Sequence, residues 1–400
     1  MNQGAGIFRT KLPIGFSAGG VNCGIRRFRP DLGIISSDRD CVATAVFTQN
    51  QCKAAPIQYC QNLLPANNIR AIITNSGQAN AATGESGVIN NQLMADVAAS
   101  ALSCSADQVL TASTGVIGEQ LEIDKIVDAI SMLVKSVSNI AEKFALAILT
   151  TDLVPKTVYK EISIAGKTVR ITGICKGSGM IHPNMATMLG YILTDAMLTP
   201  DQANQVLKKA CDKSFNMISV DGDPSTNDCV FMMANGGSGV FMDYPNELEL
   251  FYEAVKEISI ELAKNIARDG EGASKLIEVT VTGLSEEAIA KSIARSITTS
   301  PLVKTAIYGE SPNWGRILAK LGNEGLTLKQ LQQCDILIQG MTVFSHGSPV
   351  LDTDMSHLET FMKEDTIQIT IDFHDGAQTA TAWGCDLTEK YVKINAEYLS

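Results

Sequence analysis

The stretch KGSGMIHPNMATMLGYILTDA, residues 176–196, places a loop rich in turn-forming residues directly before a buried element. Residues 176–187 combine two glycines, a proline and an asparagine, which favour irregular backbone. Residues 188–193 form a short apolar run, the pattern of an element buried in a core. The sequence therefore predicts a loop that leads into a buried element starting at Thr187.

Outward from this stretch, β-branched runs alternate with helical patterns. The apolar periodicity predicts strands at residues 41–48 and 71–74 and helices at residues 89–102, 123–134, 200–213, 246–268, 285–296 and 315–321. Residues 157–173 predict a β-hairpin that turns at Ala165 and Gly166. Its buried face is predicted to carry Ile162, Ile164, Val169 and Ile171. The mixture indicates an α/β (α+β) fold.

The composition favours a folded globular protein. Its 400 residues are 45% hydrophobic and 19% charged, which is enough to bury a large core. The 32 basic and 43 acidic residues give a net charge of −11, and no basic cluster could follow a phosphate backbone. Neither a signal peptide nor an apolar run of membrane-spanning length is evident. We therefore expect a cytoplasmic protein with no nucleic-acid or membrane partner.

The common signatures of metal, cofactor and serine chemistry are missing. The four histidines have no metal-ligand spacing, and neither GxSxG nor GxGxxG occurs. Residues 166–168, GKT, lack the first glycine of a phosphate-binding loop because Glu161 occupies that position, so they predict a turn. Residues 236–239, GGSG, favour a hairpin turn over a ligand-binding loop. The ten scattered cysteines indicate reduced thiols, and we expect no metal or cofactor.

Residues 176–196 closely resemble the self-processing motif of the ornithine acetyltransferase (glutamate N-acetyltransferase) family, in which the chain is cut between alanine and threonine. The resemblance continues through AVFTQNQCKAAP at 45–56, NSGQANAATGESG at 75–87, STGVIGEQL at 113–121, TTDLVPK at 150–156, SFNMISVDGDPSTND at 214–228, DGEGASKLIEV at 269–279, LVKTAIYGESPNWGRI at 302–317 and the terminal INAEYLS. These motifs stand in family order over nearly the whole chain. By this resemblance the chain is identified as a member of the ornithine acetyltransferase family.

The resemblance implies cleavage between Ala186 and Thr187 into fragments 1–186 and 187–400. A threonine hydroxyl is a weak nucleophile that needs a nearby base. Cleavage would free the α-amino group of Thr187, whose pKa near about 8 suits that task. Thr187 would then supply both nucleophile and base, which explains how an acyltransferase can lack a catalytic histidine.

The implied activity is ping-pong transfer of an acetyl group from N2-acetyl-L-ornithine to L-glutamate through acetyl-Thr187, in the cyclic pathway of arginine biosynthesis. Some family members also use acetyl-CoA as a co-substrate, and no motif separates the two kinds. Two other classes stay open: a hydrolase on a related fold, and a non-catalytic binding protein. The family's substrate residues argue against the first class, and the intact Thr187 argues against the second.

The resemblance also implies a set of site residues. Thr114 and Gly115 would form the oxyanion hole, and the substrate contacts besides Thr187 would be Thr150 or Thr151, Lys176, Glu271, Asn395 and Ser400. Lys176 suits a substrate carboxylate and Glu271 a substrate ammonium group. The choice between the adjacent hydroxyls of Thr150 and Thr151 remains open.

The implied fold is a layered sandwich of β-sheets between helices, of the aminopeptidase and ornithine acetyltransferase type with an N-terminal nucleophile. Residues 1–400 would form one catalytic unit, with a smaller C-terminal subdomain over residues 280–400. The two fragments would remain together as a heterodimer, and two copies of each would form a heterotetramer.

Overall fold

The computed structural model describes residues 9–182 and 188–397, which form two mixed β-sheets with helices packed on them. The strands are β1 (Phe16–Val21), β2 (Leu32–Phe47), β3 (Ala66–Gln78), β4 (Val109–Val116), β5 (Lys156–Ile164), β6 (Lys167–Lys176), β7 (Leu189–Thr194), β8 (Ile218–Ser219), β9 (Cys229–Ala234), β10 (Leu276–Leu284), β11 (Asp335–Ile338), β12 (Met341–Ser345), β13 (Ser348–Pro349), β14 (Thr366–Asp372) and β15 (Gln378–Cys385). The helices are α1 (Ala55–Leu63), α2 (Gly84–Leu102), α3 (Ile123–Lys135), α4 (Glu142–Ala147), α5 (Pro200–Asp212), α6 (Pro245–Arg268), α7 (Glu287–Thr298), α8 (Pro301–Tyr308), α9 (Trp314–Leu321), α10 (Leu328–Gln333), α11 (Met355–Phe361) and α12 (Glu389–Glu397). The predicted layered α/β fold is confirmed.

The first sheet has the order β4-β3-β2-β9-β7-β6-β5, with β1 paired to β2. Strand β7 lies between β9, to which it is parallel, and β6, to which it is antiparallel. All six of its residues are buried, as the apolar run predicted. The strand begins at Leu189, whereas the predicted start, Thr187, lies outside the described residues.

Tyr191 fixes strand β7 in the core. Its ring packs edge-on against Phe144 at 4.9 Å and stacks on Phe231 at 5.9 Å. Its hydroxyl bonds to Thr74 Oγ1 at 2.9 Å, which satisfies the one polar group that the ring buries. Burial raises the pKa of Tyr191 well above its ordinary value, so the ring stays neutral. The loop before β7 therefore ends on a firmly held strand.

The second sheet has the order β13-β12-β11-β14-β10-β15-β8. Helix α6 packs against β5 and β6 of the first sheet and against β15 of the second. One hydrophobic cluster accordingly includes Ile192 from the first sheet, Ile258 from α6 and Ala382 from the second sheet. The two sheets share a core, and the predicted subdomain over residues 280–400 stays a prediction.

The local predictions mostly agree with the structure. The hairpin is confirmed as β5 and β6, and positive φ angles of 49° at Ala165 and 76° at Gly166 form its turn. The predicted helices correspond to α2, α3, α5, α6, α7 and α9. In α5, Pro200 occupies the first turn and Thr199 caps the helix by accepting a hydrogen bond from Gln202 N, as expected of a helix start.

The turn predicted at residues 236–239 is present, but the prediction of a hairpin is wrong. These residues form a turn, closed by a hydrogen bond from Gly239 N to Gly236 O at 3.0 Å. The following chain does not return along β9, because it pairs instead with the segment before α5: Met197 forms a parallel bridge with Phe241. A partner 44 residues away in sequence therefore overrode the local hairpin pattern.

Lys304 and Arg316, two motif positions without a predicted role, form hydrogen bonds that join separate elements. Lys304 is buried, and its Nζ donates to Val220 O at 2.7 Å and to Cys385 O at 2.6 Å, which joins α8 to the ends of β8 and β15. Arg316 Nη1 donates to Leu302 O at 2.6 Å and so ties α9 to α8. Lys304 therefore supports the second sheet, and Arg316 the packing of two helices.

Within the described part of the chain, no helix is long and apolar enough to cross a membrane. The same residues contain no group of His, Cys, Asp and Glu side chains that could hold a metal ion. All ten cysteines lie in described segments and carry free thiols, of which Cys52 is exposed.

Candidate active site

One pocket collects most of the residues that the sequence predicted for the site. It is lined by Ala79, Thr114, Gly115, Ile117, Thr150, Thr151, Lys176, Gly179, Met180, Ser225, Asn227, Glu271 and Asn395. Every predicted site residue that the structure describes is therefore in this pocket, although they come from separate stretches of the chain. The remaining predicted residues, Ala186, Thr187 and Ser400, lie outside the described residues.

The wall of the pocket that carries Thr114 and Gly115 is formed by two parallel strands that pair closely. Strand β4 runs parallel to β3, and the register shifts where Gly77 and Gln78 meet these residues. Gly115 has φ +135°, and a Cβ atom there would overlap the backbone of Gly77. Only glycine allows the two backbones to approach this closely, so the backbone next to Thr114 is held in one arrangement.

A buried amide network supports the same wall. Asn227 Nδ2 donates to Ala79 O at 2.6 Å and to Ser113 O at 2.9 Å. The Ser113 hydroxyl donates to Asn75 Oδ1 at 2.6 Å, and Asn75 Nδ2 donates to Gln78 O at 2.9 Å. Asn227 thus fastens the ends of β3 and β4 together from a distant part of the chain. The sequence placed it in a family motif but gave no sign of this role.

Lys176, the last residue of β6, presents a buried ammonium group to the pocket. Its side chain is 3% exposed, and its Nζ donates to Thr150 Oγ1 at 3.1 Å. Burial lowers the pKa of Lys176, although the nearby carboxylates of Asp152 and Asp228 oppose that shift. An anionic ligand would stabilise this buried cation, because the charge of the ligand offsets the hydration that the ammonium group has lost.

Glu271 faces the pocket from the turn between α6 and β10. Its backbone N donates to Ser178 O at 2.9 Å, so it is fixed to the loop after β6. Its Oε2 accepts a hydrogen bond from Asn395 Nδ2 at 2.8 Å. Helix α12 brings Asn395 there, and it rests on this turn through a bond from Thr388 Oγ1 to Gly272 O at 2.7 Å. The C-terminal helix therefore completes this side of the pocket.

Gly179→Ala is expected to raise KM for a substrate with an ammonium group by about 10-fold, with kcat little changed. A Cβ atom at residue 179 would overlap the Glu271 carboxyl group and push it away from Asn395. Steady-state kinetics would measure the effect. Gly309→Ala, where the nearest atom lies at 3.5 Å, is the matched control. An unchanged KM in Gly179→Ala would show that the position of Glu271 is irrelevant to binding.

Two carboxylates, the half-buried Asp221 and the buried Asp228, bind the chain on either side of residues 183–187. On one side, Asp221 accepts from Met180 N at 2.7 Å and from Ile181 N at 2.8 Å. On the other side, the fully buried Asp228 accepts from Met188 N at 2.9 Å. Burial raises the pKa of each carboxyl group, and the backbone donors oppose the shift. The chain therefore enters and leaves this segment at fixed points beside the pocket.

These features define a site for a small molecule with both a negative and a positive group, built where a loop, two strand ends and a C-terminal helix meet. Lys176 and Glu271 supply the opposite charges, and Thr114, Thr150 and Thr151 supply hydroxyl groups. The arrangement is that of an enzyme acting on an amino acid or its derivative.

Comparisons with known proteins agree. The model of the ArgJ family matches residues 17–400. An arginine biosynthesis bifunctional protein ArgJ from Thermotoga neapolitana is 46% identical over 394 residues, covering 97% of this chain and 99% of the relative. Another from Oceanobacillus iheyensis is 46% identical, with 96% and 95% covered. The solved structure of the arginine biosynthesis bifunctional protein argJ from Bacillus halodurans has 40% identity to this chain and a TM-score of 0.50, covering 53% of this chain and 100% of that one. The chain belongs to the ArgJ family.

Proposed function

We propose that the chain is an acetyltransferase of arginine biosynthesis that moves the acetyl group of N2-acetyl-L-ornithine to L-glutamate through acetyl-Thr187. The observation that carries this proposal is the convergence of Lys176, Glu271 and the Thr114–Gly115 wall in one pocket. Membership of a family whose members are named for arginine biosynthesis supports the pathway.

Both substrates are amino acids, and the pocket offers a partner for each charged end of N2-acetyl-L-ornithine. In this proposal Lys176 pairs with the α-carboxylate, which both substrates share, and Glu271 pairs with the side-chain ammonium group of ornithine. The Thr150 hydroxyl is already engaged by Lys176 Nζ at 3.1 Å. We therefore assign Thr150 to orienting Lys176 and Thr151 to contacting the substrate. Asn395 orients Glu271, and Ser400 is the final predicted contact.

The chemistry then follows from one nucleophile. The Thr187 hydroxyl attacks the acetyl carbonyl carbon, and its own α-amino group takes the hydroxyl proton. The oxyanion is stabilised by donors at Thr114 and Gly115 until the C–N bond breaks and the proton passes to the departing amine of ornithine. The amine of glutamate attacks acetyl-Thr187 by the same steps in reverse, which yields N-acetyl-L-glutamate. No metal or cofactor is required.

The same hydroxyl would mature the chain. Attack of Thr187 on the Ala186 carbonyl moves the acyl group from nitrogen to oxygen, and water then hydrolyses the ester. The solved Bacillus halodurans chain supports a cut near the middle of the sequence, because 53% of this chain covers 100% of that one. Residues 187–400 would form a fragment of similar size.

The assembly and second donor are further parts of the proposal. We expect the fragments 1–186 and 187–400 to stay together as a heterodimer, because β6 and β7 lie on opposite sides of the cut yet pair in one sheet. Two heterodimers would form a heterotetramer in the cytoplasm. The word bifunctional in the relatives' names favours acetyl-CoA as a second acetyl donor for glutamate.

Intact mass spectrometry followed by an exchange assay tests the proposal. We expect two masses that correspond to residues 1–186 and 187–400. Release of ornithine from N2-acetyl-L-ornithine beyond one equivalent per enzyme should depend on glutamate. Acetate release without glutamate would identify a hydrolase instead. One uncleaved mass without ornithine release would refute the proposed function.

A further inference from the structure

A buried cluster of three charged residues adjoins the pocket, and the proposed chemistry does not use it. Lys156 Nζ contacts Asp152 Oδ1 at 2.7 Å and Asp269 Oδ2 at 2.6 Å. The side chains of Lys156, Asp152 and Asp269 are 1%, 0% and 6% exposed. Burying charges is unfavourable unless they are paired and further hydrogen-bonded. The cluster therefore raises the question of what it holds in place.

Asp152 binds the two segments that present the cationic side of the pocket. Its Oδ1 accepts from Gly177 N at 2.7 Å, the residue directly after Lys176. Its Oδ2 accepts from Thr150 N at 3.1 Å, and Thr150 is the hydroxyl partner of Lys176. The position of the Lys176 ammonium group thus depends on Asp152 through both residues.

Asp269 binds the segment that presents the anionic side. It lies two residues before Glu271, and its backbone O accepts from Ser178 Oγ at 2.6 Å. Its Oδ2 also accepts from Leu153 N at 3.1 Å. Lys156 is the charged group that joins this segment to Asp152.

We propose that Lys156 is a positioning residue that sets the spacing between Lys176 and Glu271, and thereby the distance between carboxylate and ammonium groups that the pocket accepts. This inference rests on the proposed function, in which these two residues bind the ends of ornithine. Since Lys156 holds both aspartates, it ties the cationic and anionic sides of the pocket to one point.

The electrostatics agree with this geometry. Burial alone would raise the pKa of Asp152, but Lys156 and Lys176 outweigh it and lower the pKa to about 2. Asp152 is therefore ionised, and Lys156 neutralises part of its charge. Without Lys156, the two carboxylates would attract the Lys176 ammonium group, which would then be less available to a substrate carboxylate.

Lys156→Met tests the inference. We expect KM for N2-acetyl-L-ornithine, and its Kd measured by calorimetry, to rise about 10- to 100-fold while kcat changes little. Lys156→Met/Asp269→Asn removes one unpaired carboxylate and should recover part of the affinity. Lys160→Met is the matched control, because this lysine lies on the same strand but pairs with Glu257 at the surface.

Unchanged KM and Kd in Lys156→Met, or a loss confined to kcat, would overturn the inference. If that variant does not fold, Asp269→Asn decides the question, since it keeps the pair of Lys156 with Asp152. It should raise Kd in the same direction, and wild-type affinity would overturn the inference. A wild-type protein that transfers no acetyl group would refute the proposed function instead, while calorimetry would still measure the role of Lys156.

Discussion

Thr187→Ala is expected to leave one uncleaved chain of 400 residues with no measurable acetyl transfer. The substitution removes the hydroxyl that attacks the Ala186 carbonyl, so the α-amino base is never released. Nucleophile and base are therefore lost together, and the rate should fall at least about 1000-fold. Intact mass spectrometry and the exchange assay with N2-acetyl-L-ornithine and glutamate measure the two effects on the same sample.

Thr187→Ser is the matched control, because it keeps a hydroxyl on Cβ of the residue that carries the free α-amino group. It should still cleave and should retain part of the transfer rate. Cleavage in Thr187→Ala would mean that another group cuts the chain. Transfer by an uncleaved Thr187→Ala protein would mean that Thr187 is not the nucleophile.

The sequence alone predicts those parts of the fold that depend on residues close together in the chain. The apolar run of β7 and the turn at Ala165 and Gly166 are local patterns, and the structure confirms both. The hairpin predicted at residues 236–239 is wrong because Phe241, which follows the turn, pairs with the remote Met197. Local periodicity carries no information about such a partner.

The pocket was even harder to predict from local sequence, because its residues are remote from one another in the chain. The family resemblance supplied Lys176, Glu271 and Asn395, whereas no spacing rule links residues so far apart. The motif at 214–228 includes Asn227 and Asp228, but the resemblance gave no role for either residue, because their partners are backbone groups distant in sequence. A buried carboxylate or amide with such partners looks like any loop residue until the chain is folded.

Gly115→Ala is expected to slow both maturation and acetyl transfer by about 100- to 1000-fold, because both reactions would use the same oxyanion site. A methyl group at residue 115 would overlap the backbone of Gly77, so β3 and β4 must separate where they meet the pocket. That movement displaces the backbone donors proposed at Thr114 and Gly115. The rate of appearance of the two fragments and the kcat of the exchange reaction measure the effect.

Gly118→Ala separates this movement from simple backbone strain. Gly118 also has a positive φ, +86°, but a Cβ atom there would meet no atom within 4 Å. Both variants therefore carry strain of about 1 to 3 kcal/mol, while only Gly115→Ala forces the strands apart. If the variants slowed both reactions equally, strain alone would account for the loss. A fall in transfer with normal cleavage would mean that the two reactions use different oxyanion donors.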